Sequence, residues 1–428
     1  MKALLQKKYF YFYLFYILLA IALCLDFYKQ LRTGYSKESW QISEWLINYE
    51  GGFVRRGLAG EIILKAYIFF NIAPYRAILA TSFFAYLMLA GFFAKSFIKK
   101  GYSLTVLPFV FFLGGPIIND FWVRKDVLVI LFFIAAIHCS TKKIRGQLLL
   151  MNLLFMVALL MHESIGFFGL PITMLILSAH SKIDGVRNSL KSVFFSGLKL
   201  FPAIVTFFAC LFYKGSMNIS SMICRSWENI SFPIQSGDHN VVPAAIEGLS
   251  FSLKQGLSFS LRTLENFNDG FYAPLVWIII ILSIYFFLSN FSKIKTMRRR
   301  ACADSCVREG ISSILVYQLM ATAPLFILGW DYGRWIFLWT ASSFSVLVIM
   351  PDKTLPMLFP EFIKRISVKL NSAWDYFFPQ SVSMIYAMPI LIGVPLCGWS
   401  LVSYCDTMPV VIVLRLISGG IYEIISKY

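Results

Sequence analysis

Apolar runs long enough to cross a bilayer recur along the whole chain, and short polar links rich in Lys and Arg separate them. A helix needs about 20 apolar residues to cross roughly 30 Å of hydrocarbon. The first run, Tyr9 to Leu25, follows Lys2, Lys7 and Lys8 and has no small-residue cleavage site behind it, so it reads as an anchor. Further spans are expected at 76–98, 102–118, 127–141, 147–161, 164–180, 193–213, 273–291, 311–328, 336–350 and 381–403. The apolar stretch 58–72 carries Glu61 and Lys65 and reads as an interfacial or re-entrant helix. The segment 409–425, which holds Arg415 and Glu423, is open between a twelfth span and a surface helix.

Alternating these spans from a cytoplasmic N-terminus sorts the charge. The cytoplasmic links collect Lys95, Lys99 and Lys100, then Lys142, Lys143 and Arg145, then Lys182, Arg187 and Lys191. Farther on come Lys293, Lys295, Arg298 to Arg300 and Arg308, then Lys353, Lys364, Arg365 and Lys369. A basic cluster in every cytoplasmic link is what the positive-inside rule requires. The expected fold is therefore all-α, a polytopic transmembrane bundle of about 11–12 spans forming one integral membrane domain over 1–428. Two long outer loops are expected, at 26–75 and 214–272. A content of 58% hydrophobic residues and a mean hydropathy of +0.71 exclude disorder and argue against an ordinary soluble protein.

The residues that carry chemistry fall on the outer side. The first outer loop contains Glu50-Gly51-Gly52-Phe53-Val54-Arg55-Arg56-Gly57. Three short links add Asn119-Asp120-Phe121-Trp122-Val123-Arg124-Lys125-Asp126, His162-Glu163, and Trp330-Asp331-Tyr332-Gly333-Arg334-Trp335. Links this short place their charges at helix ends, where ionisable groups are costly and usually pair across a cavity. Each group also has a purely structural reading, as a snorkelling side chain, a bundle contact or an i,i+3 pair. Four constellations on one face, each mixing acid with base, favour a functional cavity. Arg55 and Arg56 before a helix start suit a phosphate or pyrophosphate, and Arg124, Lys125 and Arg334 add to the same positive field. Glu163, Asp331, His162 and Glu50 are the candidate proton acceptors.

Trp40, Trp45, Trp122, Trp227, Trp330 and Trp335 lie in outer links, and Trp277, Trp339 and Trp399 near outer span ends, leaving Trp374 inside. Such flat faces suit sugar rings, and Trp122, Trp330 and Trp335 are the candidates for stacking. In the long loop, Ala244 to Leu264 reads as an amphipathic helix capping the cavity. Cys224 and Cys405 both face outward, where a disulfide is permitted. No spacing suggests a metal site, and no P-loop or dinucleotide fingerprint is present.

In its span number, its Phe and Ile content, its mid-chain outer loop and its motifs Glu50…Arg55-Arg56, Arg124-Lys125-Asp126 and Asp331…Arg334, the chain resembles the bacterial O-antigen and capsular polysaccharide polymerases. More broadly it resembles the GT-C-like polytopic glycosyltransferases. It departs from them in lacking paired Arg-x15-Gly loops and an acidic D-x-D or E-x-D pair in the first loop. The resemblance implies a multi-pass protein of the bacterial inner membrane that polymerises lipid-pyrophosphate-linked oligosaccharide repeat units on the periplasmic face. Arg55, Arg56, Arg124 and Arg334 would hold the pyrophosphate, and Glu163 or Asp331 would act as base. No cofactor is implied, because the polyprenyl pyrophosphate is already activated. The implied partners are that lipid-linked oligosaccharide and the bilayer, with a chain-length regulator left open and no nucleic acid. The alternatives are a flippase for the same lipid and a GT-C enzyme using a polyprenyl-phosphate sugar.

Overall fold

A computed structural model describes residues 2–377 except 143–144, 181–189, 214, 235–241, 253, 259–261, 263–271, 291–301, 330 and 353, together with Val413. The expected span 381–403, the segment 409–425 and Cys405 lie outside the described residues, as does Trp330. Among the described residues the secondary structure is helical, and a single isolated bridge joins Ser36 to Ile234.

The chain opens with α1 (Lys2–Thr33), the short α2 (Trp40–Ser43) continued by a 3-10 turn over Glu44–Leu46, α3 (Gly57–Phe70) and α4 (Pro74–Lys100). After α5 (Gly115–Ile118) come α6 (Asp126–Thr141), α7 (Gln147–Met161), α8 (Ile165–His180), α9 (Leu190–Lys199) and α10 (Phe201–Phe212). Then follow α11 (Met217–Ser226), α12 (Ala244–Glu247), α13 (Tyr272–Ser289), α14 (Cys302–Leu328), α15 (Tyr332–Ile349), α16 (Leu355–Leu358) and α17 (Glu361–Phe377).

Two described helices are long and apolar enough to cross a membrane, Pro74–Lys100 and the Arg308–Leu328 part of α14. The α9–α10 pair makes a third candidate if its two arms count as one span. This is fewer than the 11–12 spans expected. The apolar helices Asp126–Thr141 and Gln147–Met161 have 16 and 15 residues. At 1.5 Å per residue they fall short of about 30 Å.

Two expected spans are not continuous helices. Over 102–118 the chain forms a 3-10 turn at Leu104–Val106, a series of turns, and only then α5. Pro108 and the run Gly114-Gly115-Pro116 break the helical ladder there. The wound segment runs back along α4, with Phe112 against Phe93 and Val123 level with Ser82. Its carbonyls are met by side chains. Thr340 Oγ1 donates to Phe111 O at 2.5 Å, Tyr86 Oη to Leu113 O at 2.6 Å, and Ser82 Oγ and Trp45 Nε1 both to Val123 O. Irregular backbone survives in an apolar interior only when its polar groups are satisfied in this way.

The second exception is 193–213, which bends by 82° between α9 and α10. Pro202 opens α10 and removes a backbone donor at the break. Asn152 of α7 clamps the corner, donating from Nδ2 to Lys199 O at 2.9 Å and accepting from the Ala203 N–H at 3.3 Å. The expected helix 244–264 also fails. It is helical over Ala244–Glu247, turns at Gly248–Ser250, is extended at Phe251, and is helical again over 254–258, so the described residues form short pieces and not one helix.

At the centre stands α15, in which every residue from Tyr332 to Val348 is buried. It packs against α4, α6 and α14, and a helix apolar on all sides belongs in a core. One end of the packing is tied by Lys100, which donates to Met350 O and pairs with Asp352 at 2.7 Å. The other end carries the charged groups. The α9–α10 corner tests the role of Asn152: Asn152→Leu should leave Lys199 O and the Ala203 N–H unpaired, costing about 1–3 kcal/mol. A lower unfolding temperature in detergent is expected, and an unchanged one would show that the corner does not need the clamp.

Candidate functional site

The charged residues meet where α6 and α15 begin, α7 gives way to α8, and the 44–57 segment lies across them. Local packing fixes that segment. A Cβ at Gly60 would lie 2.1 Å from Ile47 O, so only glycine lets α3 lie this close to the 45–47 backbone. Arg56, just before α3, has φ of +65°, a left-handed conformation uncommon outside glycine. It is held from both ends: Lys125 Nζ donates to its carbonyl at 3.1 Å, and its guanidinium grips Glu163.

The ion pairs form one chain, Glu44–Arg124–Asp331–Arg334–Asp126, with a separate Arg56–Glu163 fork beside it. Arg56 Nε and Nη2 donate to the two oxygens of Glu163 at 2.8 and 2.5 Å. Arg334 Nε and Nη2 make a second fork on Asp126, at 2.8 and 3.0 Å. Arg334 Nη1 reaches Asp331 Oδ2 at 2.6 Å, and Arg124 Nη1 donates to the same oxygen at 3.1 Å. Arg124 Nε is spent on Glu44 Oε2 at 2.9 Å. Paired forks between guanidinium and carboxylate are the strongest ionic contacts side chains make. They are also deeply placed: Glu44, Asp126 and Lys125 are fully buried and Arg334 is nearly so.

The set is not neutral. Five cations (Arg55, Arg56, Arg124, Lys125, Arg334) face four carboxylates (Glu44, Asp126, Glu163, Asp331). The surplus rests on Lys125 and Arg55, neither of which pairs with a carboxylate among the described residues. Lys125 lies near the Trp45 ring, and Arg55 donates from Nη2 to Gly248 O at 3.1 Å while its Nε has no partner among the described residues. Burial, reinforced by Arg56 and Arg124, brings the Lys125 ammonium down to about 8 despite Glu44 and Glu163 nearby.

The carboxylates differ in what they can still do. Burial alone would raise Glu163 and Glu44, but the surrounding cations, led by Arg56 for the first and Arg124 for the second, hold both well below the usual range. Both oxygens of Glu163 are taken, and Glu44 keeps one, Oε1, without a hydrogen-bond partner among the described residues. Asp331 is also lowered, by Arg124 and Arg334 against its burial, yet its side chain is 20% exposed, the most of the four. Its Oδ1 takes no partner among the described residues.

His162 is pushed down to about 4, by burial first and by Arg56 next, so it is neutral at physiological pH. Its Nδ1 accepts from the Ser164 N–H at 3.2 Å, which assigns the proton to Nε2, 3.6 Å from Glu44 Oε1. Neither nitrogen then offers an open lone pair to a substrate. Glu50 stands apart, pairing at the surface with Lys65 at 2.9 Å.

Of the three tryptophans expected to stack on sugar, Trp122 is wholly buried against Phe27 and Tyr35, so it has no face to offer. Trp335 is buried beneath the Arg334 guanidinium and donates to Gly329 O. The structure thus brings together Arg56, Arg124, Lys125, His162, Glu163, Asp331 and Arg334, with Arg55 beside them, and leaves out Glu50 and Trp122. Glu44 and Asp126 are members that the sequence reading did not assign. Asp126 stood inside a quoted motif. Glu44 had a legible signal, a lone acid in the apolar run Ile42-Ser43-Glu44-Trp45-Leu46-Ile47.

The long loop docks on this region. Trp227 Nε1 donates to Leu46 O, Asn48 Nδ2 to Ser226 Oγ, and Arg55 to Gly248 O. No protein-family model matches the chain, and no curated protein or solved structure is similar to it.

The surplus charge makes a signed prediction. Lys125 binds its proton less tightly in the fold, about 8 against 10.5, so the fold bears the cost of burying that charge below pH 8. As pH rises from 8 toward 10.5 the cost is relieved. Lys125→Met should therefore unfold several degrees higher than the parent protein at pH 7, with the gain shrinking toward pH 10. A variant less stable than the parent at pH 7 would contradict this account of the cluster.

Proposed function

We propose that this chain is a multi-pass protein of the bacterial inner membrane that joins oligosaccharide units carried on a polyprenyl pyrophosphate, working at the outer face. The observation that carries the reading is the surplus of buried positive charge at Arg55 and Lys125, beside carboxylates already committed to other arginines. A cluster left one cation in excess favours a ligand of negative charge, and a pyrophosphate supplies it. The long apolar helices support a substrate that stays in the bilayer.

In this reading Arg55 and Arg56 contact the pyrophosphate, and Lys125, Arg124 and Arg334 supply the field behind them. An acceptor hydroxyl attacks the anomeric carbon of the donor sugar, forming a new C–O bond. The bond from that carbon to the phosphate oxygen breaks, and the pyrophosphate leaves with the electron pair. The hydroxyl proton passes to Asp331, whose Oδ1 is unengaged and whose side chain is the most exposed of the four. The arginines on Asp331 make it a weak base in the resting protein. The negative charge of a bound pyrophosphate offsets the field of those arginines and raises the proton affinity of Asp331, which makes it a better base when substrate is present. Of the other candidates for the base, Glu163 has both oxygens engaged by Arg56 and His162 has no open lone pair. Catalysis rests on positioning and charge, and removing a proton acceptor of this kind typically costs 10²–10⁴-fold.

The test is made in the producing cell. Chromosomal Arg55→Ala and Asp331→Asn should each leave the protein in the membrane and reduce surface polysaccharide to single repeat units, with activity in membranes falling about 100-fold or more. A normal polysaccharide ladder from both variants contradicts the assignment. Repeat units retained on the inner leaflet would instead mark a transporter of the same lipid.

A further inference from the structure

The tryptophan best placed to meet a sugar is one that the sequence reading did not single out. Trp40 is 41% exposed, whereas Trp45, Trp122, Trp227, Trp277, Trp335 and Trp339 are buried. An indole open beside a charged site offers an apolar face next to polar groups, the combination that suits an amphipathic ligand. Trp40 opens α2, which runs without a break into the turn carrying Glu44. Residues four apart share one side of a helix, and Trp40 and Glu44 both engage Arg124. The Arg124 guanidinium carbon lies 5.5 Å from the Trp40 ring, and its Nη1 lies 3.1 Å from Asp331 Oδ2. Arg124 thus contacts both the indole and the carboxylate that keeps an open oxygen.

The polar groups beside Trp40 are of the kind that bind sugar hydroxyls. Gln41 Nε2 donates to Asp120 O and to Asp120 Oδ2, both at 3.1 Å, and Tyr35 Oη donates to Asp120 Oδ1 at 2.6 Å. With its amide nitrogen committed, Gln41 leaves Oε1 without a partner among the described residues. Asp120 itself has φ of +51°, a strained conformation for a residue with a side chain, and these three bonds hold it. The arrangement fixes the carboxamide next to the exposed ring.

We infer that Trp40 is the floor of an acceptor-sugar subsite. The apolar C–H face of a pyranose lies on the indole, one hydroxyl donates to Gln41 Oε1, and the hydroxyl that reacts points along Arg124 toward Asp331. This deepens the proposed function and rests on Asp331 as the base. It assigns sugar binding to a neutral, uncharged part of the substrate, separate from the arginines that hold the pyrophosphate.

The experiment uses the purified full-length protein in detergent and two probes. One is the neutral oligosaccharide released by mild acid from the cell's own lipid-linked pool, followed by calorimetry. The other is inorganic pyrophosphate, followed by the rise in unfolding temperature. Trp40→Ala should weaken oligosaccharide binding about ten-fold or more, and Trp40→Tyr should restore most of it. Neither variant should change the response to pyrophosphate. Equal oligosaccharide affinity in Trp40→Ala and the parent overturns the subsite, and so does an absence of oligosaccharide binding in the parent protein. If pyrophosphate has no effect while Trp40→Ala still loses the oligosaccharide, the subsite stands and the pyrophosphate reading fails.

Discussion

The fork between Arg334 and Asp126 is the contact on which the rest of the site is built. It joins the first turn of α15, the buried central helix, to the first turn of α6. From it the network reaches Asp331 and Arg124, then Glu44 in the first long link; Arg56 and Glu163 form a second fork across the same junction. Four separated stretches of chain are therefore brought together at one junction by charge. Removing one partner from so dry a set leaves an uncompensated charge and typically costs about 3–5 kcal/mol. Replacing whole pairs with apolar groups often costs nothing. Stability is thus a poor reason for a chain this apolar to keep the network, and placing charge for chemistry is a better one.

The excess cation sharpens that argument. A network built only to hold helices together gains from neutrality, because each unmatched charge in a low-dielectric interior raises the energy of the fold. Here Lys125 is fully buried, donates only to a backbone carbonyl among the described residues, and faces other cations as well as acids. Arg55 completes the imbalance with an Nε that has no partner among those residues. Such a cost is reasonable where a ligand offsets it. Stability and function then pull on the same residue in opposite directions, a common pattern at binding sites.

Much of the helix pattern was legible in the sequence, because apolar length marks a helix with little ambiguity. The runs 127–141, 147–161 and 164–180 correspond to α6, α7 and α8 within a residue or two. The failures share a physical cause. At 102–118 and 193–213, Pro and Gly broke helices within stretches whose hydropathy stayed high. What preserved both sites was polar capping from distant residues, Thr340 and Tyr86 in one and Asn152 in the other, which hydropathy does not register. Most of the charged site was likewise visible as acid and base together in short links. Its pairing was not, since Arg334 chose Asp126 across 208 positions of sequence and Glu44 entered from a link read for its Arg residues. The tryptophans show the same limit. Composition placed them near the site, but only packing separated the buried Trp122 from the open Trp40.

The claim at the centre is that this buried cluster is completed by a pyrophosphate. The direct measurement is the unfolding temperature of the purified protein as inorganic pyrophosphate is added, beside sulfate at matched ionic strength. A ligand bound only by the folded state stabilises it in proportion to the logarithm of its concentration above Kd. The account predicts a saturable rise with pyrophosphate that exceeds the sulfate response and is lost in the double variant Arg55→Ala, Lys125→Met. An equal response to both anions, or a rise that survives in the double variant, would contradict it.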